Sequence, residues 1–130
     1  MGRTRSFDES LVVSQAATAF LATGYEGTSV DALVAATGLH RGSLYGAFGS
    51  KRGLFVAAVR LAESDRLTDV EALDLLLVAL LEVAPTDATV RELCRGQVDS
   101  LPAPAASLLG RRLLERAGVT PDSSTTRGIT

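Results

Sequence analysis

The side chains whose types and spacing could do chemistry together are few: His40, Arg41, Gly42 and Ser43, then Tyr45 and Lys51. The one histidine has no carboxylate or nucleophile beside it in sequence, so no acid–base or nucleophilic constellation forms around it. One histidine with one cysteine, Cys94, is too little for an ordinary protein-only zinc site. No metal cluster or phosphate loop appears elsewhere, so the chain reads as a non-enzyme without a cofactor. The polar run is better suited to recognition. Small, hydrogen-bonding and cationic side chains at the start of a short helix are what a DNA major groove can admit. Arg41 could take guanine O6 and N7 as a bidentate pair or simply hold phosphate, and His40 could meet a base edge or a phosphate. Gly42 lets the backbone approach closely, and Ser43 can donate or accept.

Two helices joined by a tight turn must position this run, over Thr28 to Lys51. Thr28 or Ser29 can cap the first of them, with Asp31 in its first turn and Gly38 as its stop. Val30, Leu33, Val34 and Ala36 give it an apolar stripe that Leu39, Leu44 and Phe48 continue into the next helix. A preceding helix over Asp8–Thr23 turns Leu11, Val12, Ala16, Ala19 and Phe20 inward and stops at Gly24, where Tyr25 plugs the turn. A fourth begins near Ser50, places Lys51, the only lysine, in its first turn, and extends through Leu54, Phe55, Ala58, Val59, Leu61 and Ala62 as a connector.

The stretch from Ala16 to Phe55, AATAFLATGYEGTSVDALVAATGLHRGSLYGAFGSKRGLF, resembles the DNA-binding domain of TetR-family bacterial regulators. Gly24-Tyr25, Gly27-Thr28-Ser29, Leu44-Tyr45, Phe48 and Ser50-Lys51 all fall where that family has them. The resemblance covers about the first 58 residues and implies an all-α fold. It also implies a homodimer on double-stranded DNA, with residues 40 to 45 reading the groove and Thr28, Tyr45 and Lys51 fixing the register on phosphates. A connector of this kind transmits the state of the C-terminal part to the reading heads. Gly46 and Ala47 depart from the bulkier residues that many relatives carry, which removes contacts.

The expected organisation is a helix-turn-helix domain over 1–50, a connector and short helical dimerisation or regulatory domain over 51–118, and a disordered tail over 119–130. Thr68 and Glu71 have the spacing of a capping box for a helix running to about Ala84. Residues 72–84 are apolar nearly all round except for Asp74 and Glu82, which implies burial on more than one side. A helix over Ala88–Leu101 turns Val90, Leu93, Cys94, Val98 and Leu101 inward, with Cys94 as a core thiol, and a last helix covers Ala106–Ala117. Three helices after the connector are fewer than the family normally uses. Their leucine-rich faces are therefore expected to pair with a second copy. Any pocket for a small apolar effector is expected to be small, apolar or absent.

The totals agree with a DNA-binding role. The formal net charge is −2, but residues 1–60 carry +2 and residues 61–130 carry −4, so the basic excess sits with the reading head. Arg3 and Arg5 form a short N-terminal arm, read as solvated, with phosphate or minor-groove contact as the alternative. No apolar run reaches the roughly 18 residues that a membrane span needs, no signal peptide is evident, and the lone cysteine fits a reducing cytoplasm. The expected function is sequence-specific transcriptional regulation, in the first instance repression of a palindromic operator. The rival is a protein-interaction module whose helix-turn-helix has lost DNA.

Overall fold

The computed structural model describes residues 7–119, and these form an all-α protein. The arm and the residues of the tail beyond Val119 lie outside the described residues. α1 (Glu9–Thr23), α2 (Val30–Thr37), α3 (Arg41–Phe48) and α4 (Lys51–Leu61) make the N-terminal part. α5 (Asp69–Val78), α6 (Ala88–Ser100) and α7 (Ala105–Ala117) follow.

Local chemistry explains most of these boundaries. Asp8, Ser29, Ser50 and Asp87 each cap a helix by accepting a backbone N–H of its first turn, which satisfies donors that would otherwise be orphaned. Thr68 and Glu71 form the full reciprocal box: the Thr68 N–H donates to Glu71 Oε1 at 2.9 Å, and the Glu71 N–H to Thr68 Oγ1 at 3.1 Å. Gly38 ends α2 at φ 73°, a left-handed conformation that glycine adopts without penalty.

One core runs through both halves. Phe20 meets Phe55 edge-on at 5.0 Å between centroids, and Tyr25 meets Phe55 at 4.9 Å, tying α1, the α1–α2 turn and α4 into one aromatic cluster. Leu33, Leu44, Leu54, Leu75 and Val90 are fully buried around it. Cys94 is buried too, and burial raises its thiol pKa, so it packs as a small apolar residue.

Several expectations change. Leu11 is 50% exposed, because α1 turns Val12, Val13, Ala16, Ala17 and Phe20 inward instead. The helix expected to reach Ala84 stays α-helical only to Val78, then widens into a π-helical turn over Ala79–Val83 and tightens into a 3-10 turn over Ala84–Thr86. Pro85 explains the ending: it lacks an N–H and its ring cannot continue the helix. Asp74 was expected as a polar interruption, yet it is only 7% exposed. It accepts from Arg112 Nε and Nη2 at 2.6 and 2.9 Å and pairs with Arg116 Nη1 at 3.0 Å. Burial alone would raise the Asp74 pKa, but the hydrogen bonds and charge of Arg112, with Arg116, hold it below the usual carboxylate value.

Among the described residues, four polar contacts join the reading head to the rest. Arg52 makes a bidentate pair with Asp87, with Nη2 3.0 Å from Oδ1. Glu82 accepts the Glu26 N–H at 2.9 Å, Gln97 Nε2 donates to the Val59 carbonyl at 2.7 Å, and Arg116 Nη2 donates to the Leu21 carbonyl at 2.5 Å. The pair with Arg52 and the Val90 N–H bring the Asp87 pKa down to about 2.

Candidate nucleic-acid interface

α2 and α3 meet through Gly38-Leu39-His40, and Leu44 is the buried anchor of α3. Because a short helix buries one stripe, anchoring Leu44 turns His40, Arg41, Gly42, Ser43 and Gly46 to solvent. The turn is braced from within: Thr37 Oγ1 donates to the Leu33 carbonyl at 2.8 Å and accepts the Leu39 N–H at 3.3 Å.

The start of α3 is electrostatically unfinished. His40 occupies the N-cap position without a side-chain cap bond, and the first turn holds no acid. Its leading N–H groups therefore face outward beside Arg41, an arrangement suited to a phosphate oxygen. Arg41 has one loose partner, Asp31, at 3.6 Å, with the two side chains 63% and 93% exposed. Such a pair stabilises little and leaves the guanidinium free to exchange partners. A Cβ at Gly42 or Gly46 would meet nothing within 4 Å, so no internal packing demands glycine at either position.

The α4 N-terminus adds two cations, Lys51 and Arg52, at the positive end of a helix dipole. Arg52 is neutralised by Asp87, whereas Lys51 rests its ammonium 4.5 Å from the centroid of the Tyr25 ring. The ring positions Lys51 without cancelling its charge. Tyr45 is half-buried, with its ring packed on the core.

Thr28 stands apart from this set. It is fully buried, and its hydroxyl lies 2.5 Å from the Gly24 carbonyl and 2.6 Å from Thr23 Oγ1. Its hydroxyl locks the α1–α2 turn from inside, so Thr28 is not among the side chains that this face exposes. Ser29 is the exposed neighbour, capping α2 through Ala32 N–H at 3.0 Å. Sequence reasoning weighed Ser29 only as a cap. The usable signal was that a Ser at an N-cap stands at the surface beside helix N–H groups.

Residues 12–58, covering nearly all of α1 to α4, match the family model described as "Bacterial regulatory proteins, tetR family". Residues 12–58 are thus similar to the TetR-type regulatory domain. A curated relative, the uncharacterized HTH-type transcriptional regulator YezE of Bacillus subtilis (strain 168), is 47% identical over 60 residues, 46% of this chain and 31% of that protein. The chain thus spans about a third of that relative's length. The family-model match ends within α4, and α5 to α7 lie beyond it.

Proposed function

We propose that the chain is a DNA-binding transcriptional regulator that acts as a homodimeric repressor on a palindromic operator. The observation that carries this reading is the outward face of α3, with its uncapped N-terminus and the cations Arg41 and Lys51, on a TetR-type domain. In the proposed complex His40, Arg41, Gly42 and Ser43 meet the groove, while Ser29, Tyr45 and Lys51 hold phosphates. The homodimer is supported by Leu113 and Leu114 on α7, 39% and 38% exposed, which leave an apolar strip that one copy does not cover.

Selection of the purified protein against a random duplex library at near-physiological salt tests the reading. Enrichment of a palindrome with half-sites about one helical turn apart, or a multiple of it, is expected. No enrichment by folded, self-associating protein would refute it in favour of a partner-binding module. Arg41→Ala should then relax preference at one position if it meets a base, and weaken all sequences alike if it holds phosphate.

A further inference from the structure

The segment that continues α5 departs from a regular helix, and the departure delivers a carboxylate to the reading head. Leu77 and Val78 are buried, so an α-helix continued at its usual pitch would carry Leu81 to the same inward side one turn later. The π-helical turn over Ala79–Val83 widens the coil instead, and Leu81 ends 62% exposed. Leaving a leucine in water forgoes burial energy, and turns of this kind recur at functional sites. The polar side chain that this turn aims at another element is Glu82.

Its two oxygens bracket Tyr25. Oε1 accepts the Glu26 N–H at 2.9 Å, which fixes the peptide that follows Tyr25. Oε2 lies against Gly24, where an added Cβ would stand 2.6 Å from it and push the carboxylate off its place. The Tyr25 ring that this backbone presents packs on Phe55 and receives the Lys51 ammonium, 4.5 Å from its centroid. Among the described residues no carboxylate pairs with Lys51, so the ring face is what holds the ammonium.

We infer that Glu82 is a positioning residue for Lys51, holding the Gly24–Glu26 turn so that the Tyr25 ring seats the ammonium before any phosphate arrives. The seat belongs to the free chain. Only its use, which spares the cost of ordering a lysine on binding, rests on the DNA reading.

Lys51 is the only lysine, so protein isotope-labelled at lysine Cε gives a single methylene signal in a proton–carbon NMR spectrum of the full chain without DNA. In the parent that signal should stand upfield of free lysine, because protons over the face of an aromatic ring are shielded. Glu82→Ala should return it toward the free position, whereas Glu82→Gln keeps an acceptor oxygen of the same reach and should hold it. Glu82→Asp, with the charge kept but one methylene short, should release it too and serves if Glu82→Ala fails to fold by circular dichroism. On the selected duplex, Glu82→Ala should bind about fivefold more weakly, the effect of ordering one freed side chain. In the Lys51→Ala background it should cost nothing further, whereas a role in fold stability alone would cost the same in both.

A parent signal at the free-lysine position, a signal unmoved by Glu82→Ala and Glu82→Asp, or a Glu82→Gln variant as disruptive as Glu82→Ala would overturn the inference. So would an equal affinity loss with and without Lys51. A chain that selects no duplex yet shows the Glu82-dependent shift would keep the seat and lose the DNA reading.

Discussion

Gly46→Ala separates what α3 needs in order to fold from what it needs in order to bind. Gly46 lies inside α3, exposed, and a Cβ there meets nothing within 4 Å. Alanine is better than glycine in a helix interior by about 0.5–1 kcal/mol, and no clash offsets the gain. For a domain of this size, that corresponds to a rise in melting temperature of about 2–4 °C. Gly46 shares the outward face with Gly42, four residues earlier. In the proposed complex the added methyl restores part of the contact that glycine forgoes and raises DNA affinity by about fourfold, the effect of roughly 0.8 kcal/mol for one buried methyl. Thermal melts followed by circular dichroism, with fluorescence anisotropy on the selected duplex, measure both quantities. A variant that melts higher and binds no better than the parent would refute the placement of this face on DNA. One that melts lower would refute the structural account of α3.

Other outcomes follow from the same geometry. Thr28→Val should cost about 1–2 kcal/mol in urea unfolding and leave the salt dependence of DNA binding unchanged, while Lys51→Ala should reduce the slope of log K against log salt by about 1. Asp74→Asn should destabilise by about 3 kcal/mol in urea melts, because Arg112 and Arg116 lose their shared counter-charge. Both Asp74 and Asp87 titrate below their ordinary 3.8, Asp87 at about 2. Their stabilisation is therefore fully present above about pH 4 and is lost as pH falls through the folded values. Urea midpoints should be flat from pH 7 to 5 and fall steeply between about 4 and 2, and Asp74→Asn should flatten part of that fall.

What was legible in the sequence was whatever local chemistry decides. Ser50, Thr68 with Glu71, and Gly38 mark helix ends by hydrogen bonds and backbone conformation confined to a few residues, and they stand where those residue types predict. The exposed run His40 to Ser43 followed from the burial of Leu44 alone. Other features depend on partners far along the chain. Thr28 and Ser29 are equally good caps on paper, and only the closeness of the Thr23 side chain and the Gly24 carbonyl draws Thr28 inside. Asp74 reads as an interruption until Arg112, 38 positions later, supplies its counter-charge. A cavity of about 790 Å³ between the end of α4, α5, α6 and the start of α7, where a small or absent pocket was expected, is likewise a product of four elements meeting. No local pattern encodes it.

The Arg116 guanidinium that caps the Leu21 carbonyl has a consequence for how freely this reading head can be moved. Here the family-model match stops at residue 58, three residues before α4 ends, while α1 leans on a side chain near the far end of α7. A graft cut at residue 58 would carry the exposed α3 residues intact and leave behind Asp87, Glu82, Gln97 and Arg116, which contact Arg52, the Glu26 N–H and the Val59 and Leu21 carbonyls. A cut that keeps all four contacts must take the span from Asp8 to Gly118.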